Sequence, residues 1–476
     1  MKAVIPPLTA IAAALICAGA IAAPNDPANL ARIRDSAMQD NYAFERLSDL
    51  TDLVGPRLSG SPGAAAAVEQ VAEAMRKLGA KVTLQPVKVP HWVRGEEKGE
   101  LVDYAGRPAG LSQRVVLTAL GGSGATPAAG LTAPVLVVKD FADLKAHAAE
   151  VKGRIVLFNV PFDQEMADRG LAGQAYGHGA AYRFAGPKMA AEMGAAAALV
   201  RSVGGADYRI QHTGASGLVD GARIPAAAVT AEDAMLMARL SARGPLKMHL
   251  TLTPQILPDA DSFNVIADLP GTDKPDEVVI VSGHLDSWDL ATGANDDGTG
   301  VAGAMGVLET LKKLNLQPRR TIRMIAWMNE ENGTRGGKAY HAANKDKAEK
   351  HIAGIESDSG GGRPFGLITS VSPQTVGLLK PVQDALEPIG ANVIMRRDSA
   401  AGADLSLMEK EGVPMFEPLV NGHSYFHYHH TPADTLDKVN PYELQRHVAV
   451  LTSLSWYLAN LDQPLGRVTV HGGDDD

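Results

Sequence analysis

The sequence predicts an α/β fold built on a largely parallel sheet. Three observations carry that prediction. From Ser262 onward, short apolar runs of strand length alternate with longer stretches of helical period. Hydrophobic residues make up 45% and charged residues 21% of the 476 residues, enough to bury a sizeable core. Acidic and histidine-rich clusters follow the predicted strands, and in open α/β sheets ligands gather at the carboxyl ends of strands.

The elements follow in order. Met1–Ala22 has one positive residue, Lys2, then an apolar run from Leu8 and small residues at Ala20 and Ala22 before Ala23-Pro24. This is the pattern of a cleaved secretory signal peptide over 1–22. The chain's single cysteine, Cys17, falls inside it. Ala14-Leu15-Ile16 lacks the small residue expected before a lipid-anchored cysteine, and the mature chain has no thiol. Such a protein is exported, periplasmic or secreted, and needs no disulfides. Ala64–Leu78 reads as an amphipathic helix with Val68, Val71, Met75 and Leu78 on one face, stopped by Gly79. Lys81–Val89 reads as a strand, and Gly121–Pro134 as a linker or loop. Short strands are expected at Val135–Val138, Arg154–Phe158 and Ala197–Val200, with one Ala-rich helix around Lys188–Met193. In this middle block Lys188, His178 and His212 have no partners at ligand spacing. Beyond it come strands at Glu277–Ser282, Thr321–Met328 and Ile352–Glu356, and helices at Thr299–Leu314 and Pro441–Leu461.

The formal net charge of -9, which becomes more negative once Lys2 leaves with the leader, gives no footprint for nucleic acid or an anionic membrane. Five segments of the second half could carry chemistry: Gly283–Asp286, Gly293–Gly298, Asn329–Gly333, Glu356–Gly360 and Tyr428–Thr431 with Asp434. Taken singly, each has an ordinary reading. Asp296-Asp297 could cap a helix, Glu330-Glu331 could be solvated charge, and His423, His427, His429 and His430 could form a surface tract. Asn332-Gly333-Thr334 is formally a glycosylation acceptor, but it sits beside Glu331. Together, mixed histidine and carboxylate groups at strand ends suit zinc, with manganese or cobalt as substitutes. Two histidines and three carboxylates hold two ions when one carboxylate bridges, and the neighbour of a ligand carboxylate can serve as the base.

These segments, in this order, resemble the co-catalytic di-zinc exopeptidases, and within them most the plasma glutamate carboxypeptidase branch. The resemblance rests also on Val54-Gly55-Pro56-Arg57-Leu58-Ser59-Gly60-Ser61 and Pro90-His91-Trp92-Val93-Arg94-Gly95-Glu96-Glu97, and covers nearly all of the mature chain. It implies a mostly parallel mixed sheet sandwiched by helices, with a smaller β-rich domain of protease-associated type inserted. The organisation it implies is 23–117 and 254–466 as one peptidase domain, 118–253 as the insert and 467–476 as a tail. It places His284, Asp296 and Asp358 on one zinc, and Asp296, Glu331 and His430 on the other. Glu330 becomes the general base and Asp286 the partner that orients His284. Family members have a cis peptide after the bridging carboxylate, here Asp296–Asp297. Some relatives have tyrosine before the last histidine ligand, to stabilise an oxyanion; here His429 occupies that place.

The implied activity is hydrolysis of dipeptides, or of terminal residues of peptides, by metal-activated water. The partners are small peptides, without nucleic acid and without stable membrane insertion after signal cleavage, and a homodimer is compatible with this. Carboxypeptidase or dipeptidase action and aminopeptidase action both remain open. Asp289 and Asp404 are candidates for an α-amino group; Arg335, Arg396 and Arg397 are candidates for a carboxylate. Two other classes share the fold: single-zinc glutaminyl-cyclase-like acyl transferases, and receptor-like proteins that have lost the ligands.

Overall fold

The computed structural model describes residues 24–469 apart from 206–207 and 221–222. The expected signal peptide and Cys17 lie outside the described residues. No described helix is long and apolar enough to cross a membrane.

Two eight-stranded sheets organise the chain. The first runs in the order Lys81–Val93, Gln255–Leu269, Arg320–Trp327, Lys274–His284, His351–Glu356, Met415–Val420, Pro364–Thr369, Val393–Arg396. Its four central strands, from Arg320–Trp327 to Met415–Val420, are mutually parallel, with antiparallel neighbours on both sides. The central strands are buried on both faces, so they read as unbroken apolar runs such as Val278-Val279-Ile280-Val281. Helices Pro62–Lys77, Thr299–Lys313 and Pro441–Ala459 cover the sheet. Val68, Val71 and Met75 of the first pack with Val301, Met305 and Leu308 of the second and Leu451 and Leu454 of the third. The apolar face expected for the first, Val68, Val71 and Met75, is therefore the face that meets the core. Ser61, which caps Pro62–Lys77 by accepting from the Ala64 N–H at 3.1 Å, fixes where the first one starts.

The second sheet, in the order Gln113–Val115, Glu97–Tyr104, Leu246–Leu252, Leu131–Val138, Ile155–Phe158, Ala197–Arg201, Ala226–Val229, Leu117–Ala119, draws all its strands from between Glu97 and Leu252. It therefore begins before residue 118, the expected start of the inserted block. Glu97–Tyr104 bonds along Leu246–Leu252, the strand that closes the block, so it is held there by its partner rather than by its place in the chain. Leu131–Pro134, expected in a linker, is strand as well. At the other end Arg467 and Val468, expected in a tail, still hydrogen-bond to His351 and Gly412.

The sheets meet at the loop after His284. Trp288 inserts into the core of the second sheet beside Leu58 and Trp92. Gly121 makes room for it: a Cβ there would lie 2.1 Å from the indole. Arg94 reinforces the junction, gripping Asp289 through Nε at 2.8 Å and Nη2 at 2.7 Å while bonding Glu97 and the Ala119 carbonyl.

Candidate metal centre and active site

The site sits at the carboxyl ends of the central parallel strands. His284 is the last residue of Lys274–His284; Asn329–Glu331 follow Arg320–Trp327, and Asp358 follows His351–Glu356. Asp296 comes from the segment that opens helix Thr299–Lys313, and the Asp296–Asp297 peptide is cis. His429 and His430 follow the short helix Tyr425–Tyr428.

Asp296 stands at the middle. Its Oδ1 is 3.1 Å from His284 Nε2, and its Oδ2 is 3.2 Å from His430 Nε2. His284 Nε2 also lies 3.5 Å from Asp358 Oδ1, and His430 Nε2 lies 3.0 Å from Glu331 Oε2. Each histidine turns its other nitrogen to a backbone carbonyl: His284 Nδ1 donates to Asp286 at 2.9 Å, and His430 Nδ1 to Thr213 at 3.2 Å. That tautomer leaves both Nε2 lone pairs facing the carboxylates, as metal ligation requires. Nitrogen and oxygen atoms of His284, Asp296 and Asp358 lie within 4.8 Å of one another, as do those of Asp296, His429 and His430.

The charges are those of acids short of counter-ions. Burial, then the charge of Asp296, pushes Glu331 up to about 7. Burial lifts Glu330 well above the usual carboxylate range, and Asp358 and Glu331 add to that rise. Burial opposes protonation of His284, but Asp358 and Asp296 overrule it and hold the ring well above its ordinary value. A divalent cation would relieve this repulsion, and this donor set fits zinc.

The supporting contacts correct one expectation. The Asp286 carboxylate does not reach His284; only its backbone carbonyl does. Its Oδ1 accepts from the N–H groups of Asn329 at 2.7 Å and Glu330 at 3.0 Å, and its Oδ2 from Ser59 Oγ at 2.8 Å. Those three donors orient the side chain away from His284, so Asp286 holds the turn that carries Glu330. That turn needs holding, because Asn329 has φ 77°. Asn332, of the formal glycosylation sequence, accepts from the Asn329 side chain.

Other expected residues fall elsewhere. Asp289 is committed to Arg94, Arg335 pairs with Asp259 at 2.6 Å, and Arg396 pairs with Asp398 at 3.0 Å. Asp404 is 2% exposed, and its Oδ1 accepts from the Gly337 N–H at 3.2 Å. Only Arg397 of these borders the cleft. His429 stacks on His430, ring centres 3.6 Å apart at 17°, with Nε2 3.4 Å from Asp296 Oδ2.

The middle block supplies contacts that its sequence does not announce. His430 has φ 61°, which is unusual for a bulky residue. Thr213 clamps it from both sides, its N–H donating to the His430 carbonyl at 2.9 Å and its carbonyl accepting from Nδ1. His212 Nδ1 donates to the His429 carbonyl at 3.0 Å. Arg57, fully buried, binds the carbonyls of Leu285, Thr292 and Gly293 and so ties the loops bearing His284 and Asp296. Asp434 receives the N–H groups of Asn295 at 2.8 Å and Asp296 at 3.1 Å. In front of these groups opens a cleft of about 700 Å³, bordered by Glu330, Glu331, Asp358, His429, His430 and side chains of the middle block.

Residues 264–455 match the model of peptidase family M28. The chain is 35% identical to carboxypeptidase Q of Mus musculus over 430 residues, 90% of this chain and 87% of that protein. The chain belongs to peptidase family M28. Carboxypeptidase Q of Homo sapiens is likewise 35% identical over 430 residues, again 90% and 87% of the two chains. A solved M28 peptidase precursor from Shewanella amazonensis superposes with a TM-score of 0.87 at 34% identity, covering 93% of this chain and 98% of that one. A zinc aminopeptidase from Bacillus subtilis shares the fold, with a TM-score of 0.64 at 20% identity over 90% and 97% of the two chains. This M28 protein is a zinc exopeptidase acting on peptides, and the sequence reading of its fold and class holds.

Proposed function

We propose that this M28 peptidase binds two zinc ions and hydrolyses dipeptides or terminal residues of peptides in the periplasm or outside the cell. The observation that carries the reading is the shared carboxylate: Asp296 offers one oxygen to each of two histidines whose Nδ1 atoms are already spent on carbonyls. In this assignment His284, Asp296 and Asp358 hold one ion, and Asp296, Glu331 and His430 the other. Zinc, when bound, polarises the scissile carbonyl and lowers the pKa of water toward about 7.

The chain's own groups do the rest. Glu330 borders the cleft, its main chain fixed by Asp286, and takes the proton of the attacking water before passing it to the leaving amine. His429 borders the cleft beside Asp296 and is assigned as a donor to the developing oxyanion. The segment of residues 118–253 is assigned as an inserted domain that shapes the cleft and supplies neither metal ligand nor base. Action on unblocked dipeptides is the primary reading. Aminopeptidase action is the second, favoured by the 25% identity to aminopeptidase YwaD of Bacillus subtilis over 323 residues.

The test is a purified-protein assay on dipeptides and on longer peptides blocked at either end, with metal analysis alongside. Two zinc ions per chain and cleavage confined to terminal bonds are expected. One zinc with glutaminyl cyclisation, or equal cutting of internal bonds, refutes the assignment.

A further inference from the structure

Glu417 is the one acid of the cleft wall that is partly buried and yet has no part in the chemistry above. It lies on strand Met415–Val420. Ile355 pairs with Phe416 there, so Glu417 comes level with the end of His351–Glu356, where the chain turns toward Asp358. Ser359, the residue after Asp358, donates to its Oε1. Oε2 has no hydrogen bond or ion pair among the described residues and is left to the cleft. Burial lifts the carboxyl above its ordinary range, against the Ser359 bond, and the charge of Asp358 adds to the rise. A carboxylate so placed gains from a cation seated against it. Among the described residues no lysine, arginine or histidine forms an ion pair with Glu417; Arg397 of the wall is exposed and acts on it only at a distance.

The approach to Glu417 is apolar. The register along Pro364–Thr369 sets Ile368 opposite Glu417 and Gly366 opposite Leu419, so Ile368, Glu417 and Leu419 share one face of the sheet. All three border the cleft, as does Phe365, which is 38% exposed. An acid at the end of an apolar track matches a side chain that is aliphatic along its length and cationic at its tip. Lysine and arginine are such side chains: their stems lie along apolar surface while the charged head finds a polar partner. An α-ammonium group fits less well. It sits on the carbon next to the scissile carbonyl and so stays beside the metal-binding carboxylates, whereas Glu417 stands beyond Ser359.

Resting on the exopeptidase reading above, we propose that Glu417, with the apolar track of Phe365, Ile368 and Leu419, forms a subsite for a basic side chain on a residue flanking the scissile bond. Glu417 is then a specificity-determining residue with no part in the hydrolysis itself. The aliphatic stem lies along the track, and the ammonium or guanidinium group meets Oε2. An uncharged side chain of the same length fills the track but leaves the acid unpaired, and an acidic one is repelled.

The experiment compares kcat/KM for Lys-Ala with norleucyl-Ala, and for Ala-Lys with Ala-norleucine, in the zinc-loaded protein and in Glu417→Gln, Glu417→Asp and Arg397→Gln. Norleucine keeps the stem of lysine without its charge. The two substrates of a pair are read within one protein, so partial loss of zinc or of folded enzyme cancels. Wild type should prefer lysine in at least one pair by about 10- to 100-fold, the worth of a hydrogen bond between charged groups. Glu417→Gln, which can still accept from Ser359, should remove most of that preference, chiefly through KM for the lysine substrate. Glu417→Asp keeps the charge and should retain more of it. Should the Gln variant fail to fold, wild type and the Asp variant carry the comparison. No lysine preference by wild type in either pair, or one that survives unchanged in the folded Glu417 variants, overturns the proposal. A preference for Glu-Ala or Ala-Glu over its glutamine counterpart that vanishes in Arg397→Gln overturns it too, and gives the subsite to Arg397. Wild-type protein that cuts none of these dipeptides nor any longer peptide sinks the exopeptidase reading itself, a different result from an active enzyme with no lysine preference.

Discussion

Replacing Asp286 separates two roles that a carboxylate beside a metal-binding histidine can play. If it oriented His284, Asp286→Asn would weaken zinc binding about as much as Asp286→Ala, since the charge is lost in both. The contacts argue otherwise, because His284 is held by the Asp286 backbone and the carboxylate holds Asn329, Glu330 and Ser59. Alanine leaves two buried N–H groups and a hydroxyl without an acceptor. At about 1.5–3 kcal/mol for each bond to a charged group, the two backbone donors alone cost about 3–6 kcal/mol. The turn carrying Glu330 should then relax, and a displacement near 1 Å can cost about 100-fold in kcat. Asparagine keeps an acceptor for the two N–H groups, and its amide can bond to Ser59. The Asn variant should therefore retain both zinc ions and most of its stability, and the Ala variant should lose stability and kcat together. Urea unfolding, zinc analysis and steady-state kinetics on a dipeptide read all three quantities. Loss of zinc from the Asn variant would return the histidine-orienting role to the carboxylate and refute this account.

Three further outcomes are expected. Glu330→Gln should keep its zinc and its KM while kcat falls by about 10²- to 10⁴-fold, and a near-normal kcat would falsify its role as base. Asp296→Ala should lose zinc as well as activity, because in the proposed assignment both ions share that carboxylate; two tightly held ions in the purified variant would place the bridge elsewhere. His351, which donates to the Lys347 carbonyl at 3.2 Å and accepts from Tyr340 Oη at 2.8 Å, is pushed down to about 4 by burial from an ordinary 6.5. Between those values the unfolded chain takes up a proton that the native ring refuses. Its contribution is therefore complete above pH 6.5 and lost as pH falls toward 4, at most about 3 kcal/mol. Urea midpoints from pH 7 to pH 5 should fall more steeply for wild type than for His351→Gln, and equal slopes would refute the assignment.

What the sequence shows of this molecule, and what it hides, follows from how far each signal reaches along the chain. The central strands announce themselves because burial on both faces leaves them uniformly apolar, and the groups at their ends stand out because ligands gather at the carboxyl ends of such strands. Helix Ala172–Glu192 is legible only over its last turns, around Lys188–Met193. Gly173, Gly177, Gly179, Gly186 and Pro187 lie within it, a composition that favours loops until packing decides. Two of those glycines are fixed by tertiary contact: a Cβ at Gly179 would meet Val203 at 2.7 Å, and one at Gly186 would meet Phe158 at 2.9 Å. The same helix carries Arg183 and Tyr176 to the cleft, so the local signal fails where the long-range contact matters most. The grip of Thr213 on His430 is hidden for a related reason. It is made by a backbone N–H and a backbone carbonyl, which every residue but proline possesses, across 217 positions of chain. Asp286 is the intermediate case: its residue type and its place near the metal are readable, but the direction of its carboxylate is not. That direction depends on a turn 43 residues away, whose donors become visible only when the two strands lie side by side. Residue types therefore point to the ligands proposed for this site, and the backbone supplies the frame that brings those groups together.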